Sequence, residues 1–338
     1  MRVVIELTNR CNLRCLHCFS GRHGGKDDLP WAVVENVLAG AKPLGFTHLT
    51  FTGGEPTLYK RFDELLAQVA GAGYRFSFVS NGHTLGHVYP KLLPHREALE
   101  QITFSLDGAT PETHDELRGP AAFERVRAAM RRCHKEALPF SNNFVVTRHN
   151  RHELAAAAEL AFTEGSIGLR FGHLLHSPLT TAQGFDLTLE ERGEVDTQIE
   201  ALREQWHGRL PVALAPGFAT ADPLPCAPLH MQEVNVDAHG YLTKCCHLSS
   251  YTKDKESGEV GRGDVVCDLR ETDFKEGFLQ LFLRNEQFKR AKAAHFAGPL
   301  RAADTSPCWY CVNHFGKVEW LKAFPEHPWL EHLWSNTP

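Results

Sequence analysis

Within the first two hundred residues a short β-rich run followed by an amphipathic helical stretch recurs six times, and this rhythm limits the possible folds more than any other feature. The runs lie at 3–7, 48–52, 75–79, 101–106, 142–146 and 168–171, with helical patterns such as 31–41, 62–72, 123–136 and 151–162 between them. In the second of these, Leu65, Leu66, Val69 and Ala70 fall on one stripe of a helix. Successive βα units predict a parallel sheet with helices outside it. Six units are too few to close an eight-fold barrel, so the expectation is an α/β fold built on an open or partial (β/α)6 barrel.

The rhythm then stops. A long charged helix is expected over 187–206, and 210–225 is rich in Pro and Ala without period, which marks a junction. Beyond it lie six of the ten cysteines, between 226 and 311, and an aromatic tail over 320–334 that is expected to pack back onto the body. The expected organisation is a barrel over 1–185, a linker helix and junction over 186–221, a small Cys-rich α+β domain over 222–321 and a tail over 322–338.

Composition matters here mainly through the setting of those thiols. Residues 2–7 are too short and too charged for a signal peptide, and no apolar run nears the roughly 20 residues that span a bilayer. A net charge of −5 gives no general pull toward nucleic acid or anionic membranes. The expectation is a cytoplasmic protein, in which disulfides are rare and clustered thiols bind metal or do redox chemistry. A structural zinc site at each end is the plainest alternative.

Cys11, Cys15 and Cys18 form C-x3-C-x2-C directly after the first strand. Three thiolates can hold three irons of a [4Fe–4S] cube and leave the fourth open, as a catalytic metal site requires and a structural zinc site avoids. The end of a parallel strand is also where α/β folds bind ligands. Further segments follow later strands: Thr52-Gly53-Gly54-Glu55-Pro56, Ser80-Asn81-Gly82 and Ser105-Leu106-Asp107-Gly108, with Arg118 shortly after.

Together these motifs resemble the radical S-adenosylmethionine (SAM) superfamily over roughly residues 1–180. The resemblance implies that S-adenosylmethionine chelates the open iron of the cube held by Cys11, Cys15 and Cys18. It places the methionine amino group on the backbone of Gly53, Gly54 and Glu55, where glycine permits close approach. It assigns Ser80, Asn81, Ser105 and Asp107 to the ribose and methionyl moieties, Arg118 to the methionine carboxylate, and His17 to the side of the adenine.

The late cysteines have their own pattern. Cys226 is followed by Gly240-x4-Cys245, with a hairpin turn at Asp237–Gly240 between 234–236 and 241–244, and then by Cys308-x2-Cys311. This is similar to the auxiliary-cluster region called SPASM, or its shorter twitch form, and no cysteine follows Cys311, which implies one auxiliary [4Fe–4S] cluster rather than two. Cys226, Cys245, Cys308 and Cys311 make a complete set, although Cys246 is an alternative to Cys245 and a four-cysteine zinc ribbon has the same spacing. Cys246 and Cys267 are candidate ligands or hydrogen-atom donors, or small buried hydrophobes. Cys133 reads as helix core, and His173 and His176 as pocket lining rather than a metal pair.

The resemblance implies an oxidoreductase in which an external donor such as flavodoxin or ferredoxin reduces the first cluster. S-adenosylmethionine is then cleaved to a 5′-deoxyadenosyl radical that takes hydrogen from unactivated carbon. An auxiliary cluster suits an oxidative outcome. The leading expectation is a peptide maturase that crosslinks or oxidises a ribosomal peptide or protein. A small-molecule, carbohydrate-type dehydrogenase is the rival, favoured by a first strand that begins at Arg2 with no leader-binding segment before it. A non-enzymatic electron carrier would have no use for the adenosylmethionine motifs.

Overall fold

In the computed structural model, which describes residues 1–18, 25–215, 222–251 and 263–333, the early strands form one sheet with two unlike faces. Strands β1 (Arg2–Thr8), β2 (His48–Gly53), β3 (Arg75–Ser80), β4 (Leu99–Ser105), β5 (Phe140–Val146) and β6 (Leu169–His173) pair in chain order, all parallel. On β5, Phe140, Asn142, Phe144 and Val146 are buried while Ser141, Asn143 and Val145 are less covered. The buried face is aromatic, with Phe51, Phe76, Phe78, Phe104 and Phe171 fully enclosed. Each such ring contributes about 1.5–3 kcal/mol of burial.

Helices α1 (Trp31–Ala41), α2 (Phe62–Gly71), α3 (Leu85–Leu92), α4 (Pro111–Arg118), α5 (Ala122–Lys135) and α6 (Leu154–Thr163) return the chain between strands. The stripe expected on α2 is buried at Leu65, Leu66 and Val69, and Phe62 meets Phe78 edge-on at 5.9 Å. Cys133 is fully buried on α5, as core. The other face of the sheet presents Thr50, Ser77, Gln101, Thr103 and Asn143 to a cavity. A parallel sheet covered on both sides has continuously apolar strands. These strands alternate because one side faces the cavity.

After the short α7 (Pro178–Ala182), helix α8 (Leu189–Gln205) begins at a capping box between Thr188 and Glu191. It leads to β7 (Val212–Leu214), a further parallel strand beside β6. This strand lies inside the run read from sequence as an irregular junction. Pro211 precedes it and keeps its carbonyl for Leu169, so the proline costs the ladder nothing. Residues 216–221 of that run lie outside the described residues.

The C-terminal hairpin continues the same sheet. Strand β8 (Glu233–Val236) pairs parallel with β1, β9 (Tyr241–Thr243) antiparallel with β8, and β10 (Val265–Asp268) antiparallel with β9. The sheet order is β10-β9-β8-β1-β2-β3-β4-β5-β6-β7. Helix α9 (Cys246–Tyr251) follows the hairpin. Helix α10 (Phe274–Phe296), 23 residues capped by Asp273, packs on α1, and α11 (Pro307–His314) carries the last two cysteines. The tail packs back as expected: Trp329 is fully buried and donates from Nε1 to the Leu187 carbonyl at 2.7 Å. Among the described residues no helix is long and apolar enough to cross a membrane.

Candidate functional site

The cysteine loop after β1 is fixed by its own backbone and by one arginine. Gly54 donates to the Thr8 carbonyl and Glu55 to the Arg10 carbonyl, each at 2.8 Å. A Cβ on Gly53, whose φ is +144°, would lie 2.4 Å from the Thr8 oxygen, and one on Gly54 would lie 2.2 Å from the Arg10 oxygen. The glycines are therefore required by the chain's own approach to the loop, a demand that the sequence reading assigned only to ligand. Arg10 grips both Asp28 oxygens at 2.7 Å and also reaches the Leu58 carbonyl.

Glu55 is buried and ties the end of β2 to the end of β3. Its carboxylate accepts from Thr57 Oγ1 at 2.6 Å, Ser80 Oγ at 3.0 Å and the Asn81 N–H at 2.8 Å. Burial raises its pKa, and these donors oppose the rise. Asn81 in turn donates to Asn12, inside the cysteine loop, at 2.8 Å.

Below the loop sits a buried charge relay. Asp107 accepts from the Val145 N–H at 2.8 Å, faces His17 Nε2 at 2.9 Å and receives Arg118 Nε at 2.5 Å. Burial alone would raise its pKa, but Arg118 and His17 hold the carboxyl well below the usual range. Arg118 Nη1 then stands 3.9 Å from Cys15 Sγ, and Leu16 donates to the Leu117 carbonyl at 2.9 Å. Burial pushes Cys15 up to about 11, with Arg118 opposing and Cys18 and Cys11 adding to the rise.

The four late thiols come from three separate stretches and meet. Burial pushes Cys226 up to about 12, and the charges of Cys245 and Cys311 add to it. Cys308 is raised well above its usual value by burial and then by Cys311, Cys245 and Cys226. Cys246 is hydrogen-bonded to Cys245, and its charge is also felt by Arg170, which lines the same cavity. Two lysines missed in the sequence face this group. Lys292 Nζ donates to Cys311 Sγ at 3.4 Å, and Lys244 Nζ donates to Asn285 Oδ1 at 3.1 Å. Burial lowers Lys244 to about 8.

Both thiol groups open into one cavity of about 600 Å3. Cys11, Cys15 and Cys18 line one part, and Cys226, Cys245, Cys246, Cys308 and Cys311 another. His17, Gly53, Gly54, Glu55, Ser80 and Asn81 line it too, with Ser105 and Arg118. Asp107 lies behind this lining with no exposed surface. Cys267 is not brought to the cavity: it packs in the core beside α10, where a Cβ on Gly277 would be 2.8 Å from its sulfur.

Residues 5–161 match the family described as the Radical SAM superfamily. That stretch of the chain is a radical SAM domain. Fe-coproporphyrin III synthase of Methanosarcina barkeri is 29% identical over 207 residues, which are 60% of this chain and 51% of that protein. The chain thus spans about half the length of that relative. A probable GTP 3′,8-cyclase of Saccharolobus islandicus is 27% identical over 299 residues, 80% of this chain and 95% of that one. The solved structure of anSMEcpe with bound AdoMet and Kp18Cys peptide superimposes with a TM-score of 0.64 at 18% identity, covering 86% of this chain and 84% of its own. At that identity the likeness speaks for the fold.

Radical SAM proteins use S-adenosylmethionine and a [4Fe–4S] cluster, and these are cofactors of this chain. The residues suit them. Thiols that raise one another's pKa require compensating positive charge when ionised, which Arg118 and cluster iron would provide. The cysteine-rich C-terminal region fits an auxiliary cluster.

One further cluster resembles a metal site, but its hydrogen bonds use the atoms that an ion would need. His176, Asp186 and His327 are buried together, with Asp186 bonded to His176 Nδ1 at 2.7 Å and to His327 Nε2 at 3.1 Å. His327 Nδ1 accepts the Trp329 N–H at 3.0 Å, so its proton resides on Nε2 and the lone pair a metal would need there is absent. The cluster fastens the tail. His176 lies outside the cavity lining, whereas His173 reaches it while bonding to Asp196 at 2.6 Å.

Proposed function

We propose that Cys11, Cys15 and Cys18 hold the [4Fe–4S] cluster that binds S-adenosylmethionine, and that Cys226, Cys245, Cys308 and Cys311 hold one auxiliary [4Fe–4S] cluster. The observation that carries this reading is the shared cavity, onto which both thiol groups face. When bound, the first cluster and S-adenosylmethionine supply a one-electron cleavage whose product takes hydrogen from unactivated carbon.

The chain's own residues orient and enclose that chemistry. Gly53 and Gly54 bring the β2 backbone against the cysteine loop, and Glu55, saturated by Thr57, Ser80 and Asn81, keeps the β3 end in register with it. Arg118 is pinned by Asp107 with its second amine turned toward Cys15, suited to a carboxylate of the cofactor beside the thiols. His17 is held edge-on by Asp107 and lines the cavity where an adenine would stack. The lumen residues Thr50, Ser77, Gln101, Thr103 and Asn143 offer hydrogen bonds to substrate.

The substrate of this reading is a ribosomal peptide or protein, crosslinked or oxidised with the auxiliary cluster taking the second electron. The peptide-bound structure of anSMEcpe supports it, with the same fold across most of both chains. The second reading, a small-molecule substrate, has its own support. The probable GTP cyclase is matched over 95% of its length, and GTP is a nucleotide. A flavodoxin- or ferredoxin-type donor supplies the electron in either case.

The test is deuterium transfer. Reduced enzyme is incubated with S-adenosylmethionine and either a deuterated peptide fraction or a deuterated small-molecule fraction from the producing cell. Mass spectrometry then reads deuterium in 5′-deoxyadenosine. Label from the peptide fraction is expected; label from the small-molecule fraction alone would falsify the peptide reading. Absence of any 5′-deoxyadenosine would overturn the cofactor assignment as well.

A further inference from the structure

A lysine near the end of a long surface helix ordinarily turns its ammonium to water. Lys292, in the last turns of α10, does not. It is 1% exposed, and its Nζ donates to the Pro307 carbonyl at 3.0 Å and to Cys311 Sγ at 3.4 Å. The rings of Tyr310 and Phe296 stand 5.7 and 5.8 Å from the same nitrogen. Among the described residues no carboxylate pairs with it. A buried ammonium without a counter-charge is costly, and removing its partner from such a site is more costly still. The groups it faces are thiols: Cys311 directly, with Cys226 and Cys308 close enough to feel its charge.

We infer that Lys292 sets the reduction potential of the auxiliary cluster, raising it through a fixed positive charge and an N–H···S bond to Cys311. The inference rests on the reading that Cys226, Cys245, Cys308 and Cys311 hold one [4Fe–4S] cube. Taking up one electron from the substrate radical converts [4Fe–4S]2+ to [4Fe–4S]+, and no bond within the cluster forms or breaks. The electron adds negative charge to a cube already made anionic by four thiolates. Net charge and hydrogen bonds to sulfur are among the levers that fix such potentials. A cation at one ligand sulfur therefore favours the reduced state and makes the cluster a better acceptor. Lys244 is the internal comparison: it also faces this region, but its hydrogen bond goes to Asn285 rather than to sulfur.

The experiment uses the full chain with Cys11, Cys15 and Cys18 all replaced by Ala, so that only the auxiliary cluster remains. After anaerobic reconstitution, the reduced signal is followed by electron paramagnetic resonance during a mediated redox titration. Lys292→Met should cut the reduced-to-oxidised ratio at fixed potential at least tenfold, a drop of about 59 mV for a one-electron couple. Lys292→Gln, which keeps a donor but no charge, should fall between Met and wild type. Lys292→Arg should stay near wild type, and Lys244→Met should shift less than Lys292→Met. An unchanged midpoint in the Met or Gln variant overturns the inference. If Met and Gln variants both fail to assemble a cluster, Lys292 serves assembly and the potential-setting role is overturned. If the triple-Ala chain with Lys292 intact holds no iron cluster, it is the auxiliary-cluster reading that fails.

Discussion

The Cα of Gly54 and the carbonyl of Arg10 are so close that a methyl group on the glycine would sit 2.2 Å from the oxygen. The cysteine loop and the β2 end are therefore built as one piece. Gly54→Ala should displace the loop and cost about 1–3 kcal/mol of stability, the range for overpacking. Iron should fall from about eight to about four per chain, since only the first cube depends on this contact. Full iron with weakened S-adenosylmethionine binding would show that the glycine serves the ligand alone.

Cys245 and Cys246 are hydrogen-bonded to each other, but it is the charge of Cys245 that raises Cys226, Cys308 and Cys311. Cys245→Ala should lose the auxiliary cluster, about four irons, while Cys246→Ala retains it. Iron and acid-labile sulfide on the two purified variants decide the matter. Loss only in Cys246→Ala would move the ligand by one residue.

Acid should unfold the chain in two stages. Burial and the charge of Arg118 lower the His114 imidazole to about 3. Unfolded histidine titrates near 6.5, so the unfolded chain binds the extra proton and stability falls as pH drops from about 6.5 toward 3. Asp107, held below the usual carboxylate range, contributes stability that is complete above about pH 3.9 and lost as pH falls further. Urea midpoints from pH 7 to 3 should show both arms in the wild type. Asp107→Asn should lower stability at pH 7 by about 3–5 kcal/mol, because it strands the Arg118 charge, and should flatten the lower arm.

Trp329 should matter to iron although it is no ligand. It packs with Trp309 and Leu248 in a small core to which Cys245 and Cys311 are attached. Trp329→Ala should cost about 3–5 kcal/mol and speed loss of the auxiliary cluster to a chelator. Unchanged chelation kinetics would separate the tail from the thiol site.

The strands of the barrel were readable because helix-facing positions are mostly apolar and cavity-facing ones mostly polar, as along Phe140–Val146, where only Asn142 and Val145 depart from the alternation. Strand β7 was not, since three residues after a proline carry no period, and its pairing comes wholly from β6. Helix α10 was obscured by its mixed surface, where Lys292 looks like any solvated lysine until Cys311 is placed beside it. The first thiol group was legible as a contiguous motif. The second depended on contacts between stretches that sequence spacing does not describe, and so did the choice between Cys245 and Cys246. Glu55 was read for its backbone alone; the bonds of its carboxylate to Ser80, Asn81 and Thr57 depend on strand ends that the sequence does not bring together.

The seam between β8 and β1 carries backbone pairing from Arg2 opposite Glu233 to Ile5 opposite Val236, and one ion pair, Arg2 Nε to Glu233 at 2.6 Å. Main-chain hydrogen bonds do not discriminate between side chains, apart from rejecting proline within the ladder. An edge of this kind would accept a different hairpin, provided that its first strand runs parallel to β1. A replacement that also refilled the core shared with β1 and α1, where Val234, Val236, Leu242 and Phe274 now pack, would leave the six-strand body and its cysteine loop intact. The two halves of the chemistry are thus free to change partners: the radical source can be kept while the part that decides the fate of the product is exchanged.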